Sequence, residues 1–260
     1  MLLALDIGNT NITFGVFADG EDPQDHAPEA TWRIATDSNR MTDEYGVLLH
    51  DLLALKDVKP ADVSAVAMCS VVPPLTPAFT ELCRTYFDVE PMVVGAGIKT
   101  GIKILYDNPR DVGADRIADA AAALKLYGGP AIIVDFGTAT VFDAVSADAE
   151  YIGGAIAPGM VVAADALFHS TSQLRRVELE RPAAAIGKNT IQALQSGLVL
   201  GYADLVKGMV SRFDKELGGA CKVIATGGLA DLIEAEAGIF DAVNPDLTLI
   251  GLSIIHRMNT

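Results

Sequence analysis

Basic residues are scarce in this sequence: 19 Lys and Arg stand against 34 Asp and Glu in 260 residues, a formal net charge of −15. Nucleic acids are bound through clustered Lys and Arg, and no such cluster occurs, which excludes a nucleic-acid surface. A nucleotide stays admissible, because backbone N–H groups and a bound metal ion hold small anions without net positive charge. Cysteine is scarce as well. Cys69, Cys83 and Cys221 lie far apart and outside any CxxC or Cys/His cluster, a usage that fits a reducing compartment and speaks against a structural zinc site. No cationic leader precedes the opening MLLALDIGNT, so no signal peptide is expected. The apolar stretch from Tyr151 to Phe168 is broken by Gly153, Gly154, Pro158, Gly159 and Asp165, and no membrane span is expected there. These absences predict a cytoplasmic protein with neither membrane nor nucleic acid as partner. Neither a GxxxxGK[ST] loop nor a GxGxxG after the first strand is present, which weakens the two commonest nucleotide folds.

Half of the residues are hydrophobic and 20 % are charged, so the chain is not of the disordered class. Surface scaling for this size gives roughly 11,000 Å² folded against about 40,000 Å² unfolded, enough for a core without staples. Met1 to Asp6 is an apolar run stopped by an Asp-x-Gly turn and reads as a buried strand. Ile12 to Phe17 reads as its returning partner, and Thr31 to Ala35 as a third strand after the polar loop Gly20 to Glu29. Thr42 is the predicted N-cap of a helix that carries Tyr45, Leu48, Leu49, Leu52 and Leu53. Val63 to Cys69 reads as a strand, followed by a helix to Phe87. In the second half Ala131 to Val134 stops at Asp135, and Val141 to Val145 returns. Laid one over the other, DIGNTNI (Asp6 to Ile12) faces DFGTATV (Asp135 to Val141), which suggests a duplication. An amphipathic helix is predicted over Ile191 to Phe213, with Leu194, Leu198, Leu205, Met209 and Phe213 as its stripe. A strand over Lys222 to Ala225 ends in Thr226-Gly227-Gly228, and a last helix runs from Leu247 to Arg257.

The turn Asp6-Ile7-Gly8-Asn9-Thr10-Asn11 has the parts a phosphate needs. A carboxylate at a strand end can reach a hydrated Mg²⁺. Gly8 lets the backbone come close, and Asn9, Thr10 and Asn11 add neutral donors. Taken alone it is equally a plain hairpin turn. Asp135-Phe136-Gly137-Thr138-Ala139-Thr140 repeats the set, and Ala225-Thr226-Gly227-Gly228 offers a close backbone approach for a flat nucleoside. Gly113-Ala114-Asp115-Arg116 stands ahead of an alanine-rich helix expected over Ile117 to Leu126. A carboxylate such as Asp115 can take the proton of an attacking hydroxyl, and Arg116 can clamp an anionic end. A helix-capping Asp-Arg pair is the plainer alternative.

In this order and spacing the three turns resemble the phosphate and adenosine motifs of the acetate/sugar kinase–Hsp70–actin superfamily. YDNPRDVGADR (Tyr106 to Arg116), with DIGNTN, VDFGTAT, GGAIAPG (Gly153 to Gly159) and IGKNT (Ile186 to Thr190), narrows the resemblance to the type III pantothenate kinases, over essentially the whole chain. The resemblance implies an α/β fold of duplicated ribonuclease-H-like (actin-like ATPase) domains, residues 1–117 and 118–260, with a cleft between them. It implies ATP-dependent phosphorylation of pantothenate to 4'-phosphopantothenate, the first step of coenzyme A biosynthesis. Asp115 would be the general base. ATP would lie against Asp6, Ile7, Gly8, Asn9, Thr10, Asn11, Ile12, Thr13 and Thr138. Pantothenate would be bound by Tyr106, Gly113, Ala114, Asp115 and Arg116, with Thr190 contributed by the neighbouring subunit of a homodimer. Asp6 would orient Mg²⁺ through water, and Asp135 would hold a monovalent cation, K⁺ or NH₄⁺. His169, in a stretch read as a loop, is given no role. Three alternatives stay open: another kinase or a phosphatase of the superfamily, an ATP-binding regulatory accessory protein of the same fold, and a filament-forming relative of actin.

Overall fold

The computed structural model describes residues 1–18, 27–171 and 174–260; most of the loop read between Gly20 and Glu29 lies outside them. Two compact units emerge: Met1–Ala122 with Asp246–Thr260, and Ala123–Pro245. The sequence reading divides the chain at 117/118 instead. The difference at the far end comes from the last helix, whose apolar residues cover the sheet of the first unit.

In the first unit β1 (Leu2–Ile7), β2 (Asn11–Phe17), β3 (Ala30–Ala35), β4 (Ala65–Ser70) and β5 (Met92–Val93) form one sheet in the order β3-β2-β1-β4-β5. β1, β2 and β3 are antiparallel neighbours, while β4 runs parallel to β1 and β5 to β4. Side chains alternate between faces along a strand. Leu3, Leu5 and Ile7 therefore join Ile12, Phe14 and Val16 on one face, packed with Tyr45, Leu49, Leu53, Phe79 and Leu82 from α1 (Thr42–Ala54) and α2 (Leu75–Phe87). Met41, not Thr42, is the N-cap of α1, because the Glu44 carboxylate accepts the Met41 N–H at 2.8 Å and ends the helix one residue earlier. A short β6 (Lys103–Ile104) precedes α3 (Ala114–Tyr127).

The second unit repeats the plan. β7 (Ala131–Phe136), β8 (Ala139–Val145), β9 (Glu150–Pro158), β10 (Lys222–Thr226) and β11 (Ala242–Val243) stand in the order β11-β10-β7-β8-β9. β7, β8 and β9 are antiparallel neighbours, and β10 and β11 run parallel to β7 and β10. Strand for strand this is the order and direction of the first unit. The two hairpins differ by one residue: Ile7 pairs with Ile12, but Phe136 pairs with Thr140. Thr140, not Val141, thus takes the buried place of Ile12, one residue off the match read from sequence.

The remaining helices are α4 (Met160–Ser170), α5 (Thr190–Gln195), α6 (Gly201–Glu216), α7 (Ala230–Ala237) and α8 (Leu247–Asn259). His169 is therefore helical, not in a loop. The helix predicted over Ile191 to Phe213 is split by a π-helical segment, Ser196–Leu200. That wider turn rotates the stripe. Val199, Ala203, Val206 and Val210 face the core of the unit, and Leu205 is left exposed. α8 is buried along Leu249, Ile250, Leu252, Ile254 and Ile255 and packs on β1, β2 and β4. At Gly251 any Cβ would collide with the Ala118 backbone of α3, so only glycine permits that crossing. Among the described residues no helix is long and apolar enough to cross a membrane.

Candidate functional site

Near its end β1 contributes to a row of residues that crosses four of the five strands of the first sheet. Cys69 of β4, Asp6 of β1, Thr13 of β2 and Arg33 of β3 stand opposite one another in register, so their side chains leave the same face. It is the face away from the Leu3-Leu5-Ile7 core. The Cys69 thiol donates to Asp6 Oδ1 at 3.4 Å. Burial, then the charge of Asp115, pushes the Asp6 carboxyl from 3.8 up to about 7, against the lowering effect of Cys69 and Arg33. Burial and the neighbouring charges of Asp6 and Asp115 hold the Cys69 thiol well above its usual range. It serves as a donor and not as a nucleophile.

The turn after Asp6 is tied from both sides. Gly8 N–H donates to the Asn11 carbonyl at 3.0 Å, Thr36 N–H to the Thr10 carbonyl at 3.0 Å, and Thr36 Oγ1 to the Gly8 carbonyl at 2.6 Å. A Cβ on Gly8 would come within 2.9 Å of the Asn11 carbonyl. Asn9, Thr10 and Asn11 are exposed and Thr13 is half-buried. Ile7 and Ile12, placed with them from sequence, have side chains fully buried in the core, so they can offer a ligand only backbone.

α3 begins earlier than predicted, at Ala114, which puts Asp115 and Arg116 in its first turn. Charge and hydrogen bonding explain the shift. Asp115 Oδ1 accepts the Arg116 N–H at 2.8 Å, and a carboxylate is favoured at a helix N-terminus. The carboxylate folds back over Gly113, where a Cβ would collide with Oδ1. Burial raises the Asp115 carboxyl above the usual 3.8, opposed by Arg116. One turn further, buried Asp119 accepts Thr248 Oγ1 of α8 at 2.7 Å. Upstream, half-buried Tyr106 leads into a turn closed by Asn108 Nδ2 donating to Asp111 Oδ1 at 2.8 Å.

In the second unit Asp135 holds the position of Asp6, opposite Val141 of β8 and buried Thr226 of β10. Its carboxylate is walled by glycine. Gly227 has φ +89°, and a Cβ there would come to 2.5 Å from Asp135 Oδ1; at Gly137 the approach is 3.3 Å. Thr138 is exposed, and its carbonyl accepts the Gly159 N–H at 3.1 Å. A Cβ on Gly159 would run into the carbonyls of Gly137 and Thr138, which ties GGAIAPG to this turn. Thr190 is the exposed first residue of α5, behind Asn189, whose side chain accepts the Gln192 N–H at 2.9 Å. A cavity of about 450 Å³ lined by Arg181, Pro182, Ala183, Leu200 and Glu236 contains none of these residues.

The first unit therefore brings together Asp6, the Gly8–Thr13 turn and Asp115 with Gly113 and Arg116. The second holds Asp135 with Gly137, Thr138 and Gly227, and carries Thr190 apart on α5. Cys69, Asp119 and Arg33 were missed from sequence, since none lies in a motif; only the strand register reveals Cys69 and Arg33.

The family profile described as type III pantothenate kinase matches residues 2–212. A protein named type III pantothenate kinase from Roseiflexus sp. (strain RS-1) is 53 % identical over 259 residues, 100 % of this chain and 99 % of that one. The chain belongs to the type III pantothenate kinase family. A second relative of that name, from Moorella thermoacetica, is 48 % identical over 260 residues, covering 100 % of both. Type III pantothenate kinase likeness thus extends past the profile, through Gly227 and α8. Among solved structures, a chain described as a Baf family transcriptional activator from Campylobacter jejuni has TM-score 0.60 at 20 % identity, covering 99 % of this chain and 98 % of that one. The polyphosphate/ATP-glucomannokinase of Arthrobacter sp. strain KM has TM-score 0.52 at 14 % identity, covering 100 % and 99 %. At those identities the likeness concerns the fold: duplicated ribonuclease-H-like, actin-like ATPase domains.

Proposed function

We propose that this chain transfers the γ-phosphoryl group of ATP to the primary hydroxyl of pantothenate, giving 4'-phosphopantothenate in the cytoplasm as the first step of coenzyme A biosynthesis. The observation that carries the reading is the Asp115 carboxylate, half-buried in the first turn of α3, raised above its usual range and close enough to Asp6 to raise that group in turn. A base poised that way takes the acceptor's proton as the hydroxyl oxygen bonds to phosphorus and the bond to the β,γ-bridging oxygen breaks, leaving ADP. Gly113 lets that carboxylate fold back over the chain; with Ala114 and Tyr106 it would contact the acceptor, and Arg116 would supply a cation for the pantothenate carboxylate.

ATP would be held by the exposed donors of Asn9, Thr10 and Asn11, the backbone of Gly8, half-buried Thr13, and Thr138 in the second unit. Asp6 fits a hydrated Mg²⁺: a hard oxygen donor, it sits without enough counter-charge to stay ionised in the usual carboxylate range. Bound there, the ion would neutralise charge on the phosphates. Asp135 fits K⁺ or NH₄⁺, since Gly137 and Gly227 leave around its oxygens a cradle that a single Cβ would fill. A homodimer in which Thr190 serves the partner's substrate is supported by α4, an apolar helix exposed at Val161, Val162, Leu167 and Phe168.

The test is ADP release by purified protein with ATP, Mg²⁺ and K⁺, comparing pantothenate, glucose, acetate and no acceptor. Release that depends on pantothenate is the expected result. Nucleotide binding with no acceptor-dependent release would turn the reading toward an accessory protein.

A further inference from the structure

The duplication lets each position of one sheet be compared with its counterpart in the other. Across the first sheet the row is Asp6, Thr13, Arg33; across the second it is Asp135, Val141, Ile156. The carboxylate is kept in both. The third strand differs: an arginine in the first unit, and an isoleucine 64 % exposed in the second. An exposed isoleucine shows that the framework does not need a cation at that place, so Arg33 is there for something particular to the first row.

Arg33 alternates with Trp32 and Ile34, which turn inward to the core, and so it leaves the sheet on the Asp6 side. Trp32 stacks on Phe14 with ring centroids 5.2 Å apart, which fixes β3 in register beneath the arginine. Its positive charge is felt by Asp6 and also by Asp246, the residue ahead of α8. The guanidinium therefore leaves the sheet on the face of Asp6, two strands away in the same row, exposed and within electrostatic reach of Asp6 and Asp246. The paired carboxylates Asp6 and Asp115 repel a polyphosphate unless a cation stands beside them. A guanidinium also offers a planar fork that matches two phosphoryl oxygens at once.

We propose that Arg33 is a further ATP-binding residue, donating to oxygens of the terminal phosphoryl group at the Asp6 end of β1. This rests on the kinase reading above. The γ position follows from the Asp6–Asp115 proximity: the end of β1 that Arg33 overlooks is where the acceptor's base also stands, so the phosphate there is the one that moves.

The test measures affinity for the Mg²⁺ complexes of the β,γ-imido analogue of ATP and of ADP, without pantothenate, for the wild type, Arg33→Gln and Arg33→Lys. Loss of a charge-assisted bidentate contact is expected to weaken the ATP analogue by about 10- to 100-fold in Arg33→Gln, with ADP changed less than about threefold. Arg33→Lys keeps the charge and is expected to fall between; should the glutamine variant fail to fold, its selective loss for the analogue carries the test. Equal loss for both nucleotides, or no loss for either, overturns the proposal. Pantothenate-dependent ADP release by the wild type is read separately, so failure of the kinase reading is distinguishable from failure of the Arg33 assignment.

Discussion

Asp6→Asn is expected to make the ligand-free protein more stable while it removes function. The Asp6 carboxyl lies at about 7 instead of 3.8, because burial and the Asp115 charge oppose its ionisation. The folded state thus favours the protonated form, and that contribution is fully present below pH 4 and is lost as pH rises through about 7. A difference of about three pKa units at 1.36 kcal/mol each sets a ceiling of about 4 kcal/mol above pH 7. Asparagine carries no charge and keeps an oxygen for the Cys69 thiol, so it escapes that cost. For a chain of this length roughly 2–4 °C of Tm accompanies each kcal/mol, so even half of the ceiling raises the melting temperature by about 4 °C. The assay is thermal unfolding of both proteins from pH 4 to pH 8, with and without Mg²⁺ and ATP. The curves should coincide at pH 4 and separate toward pH 8, the variant melting higher. Added MgATP should stabilise the wild type more than the variant, because a ligand stabilises only by its affinity for the folded state. A variant that melts at or below the wild type at pH 8 refutes the reasoning.

Asp115→Asn should lower kcat by on the order of 10²-fold or more, the usual scale for a lost general base, with ATP affinity retained; turnover near that of the wild type would reject Asp115 as the proton acceptor. Asp135→Ala should abolish stimulation by K⁺, measured as the ratio of rates in K⁺ and Na⁺ buffers, and an unchanged ratio would place the cation elsewhere. Thr140 Oγ1 is buried without a hydrogen-bond partner, at the place where the first unit has Ile12. Thr140→Val should therefore stabilise the protein by about 1 kcal/mol in denaturant melts, and a clear destabilisation would mean that the hydroxyl is satisfied after all.

The sequence exposed the elements whose signal is local. The apolar runs ending at Asp6 and Asp135 gave both first strands, because a buried strand needs little more than continuous hydrophobicity and a polar stop. The Gly-containing turns were legible for the same reason: at Gly227 the backbone itself demands glycine. What escaped depends on partners far away in the chain. The one-residue difference between the two hairpins is invisible until Phe136 is seen opposite Thr140. The π-helical turn at Ser196–Leu200 has no local sequence signal, and Ser196 Oγ there donates to the Ala185 carbonyl at 2.6 Å, eleven residues upstream. Cys69 and Arg33 went unassigned, because cross-strand neighbours are not written in either segment. The start of α3 differs for another reason: Gly113 to Arg116 were placed ahead of a helix expected from Ile117, whereas Asp115 itself completes the first turn.

The return of α8 to the first unit has a consequence for how the chain is made. Residues 123–245 form a continuous segment, whereas the first unit is assembled from both ends of the sequence. At ~5–20 residues per second on the ribosome, roughly 6–25 s pass between the emergence of α3 and that of α8. During that interval β1, β2 and β4 lack the helix that covers them, and Asp119 lacks Thr248. Nascent chains should therefore expose a sticky apolar sheet until α8 has emerged, a window in which a holdase chaperone would find its client.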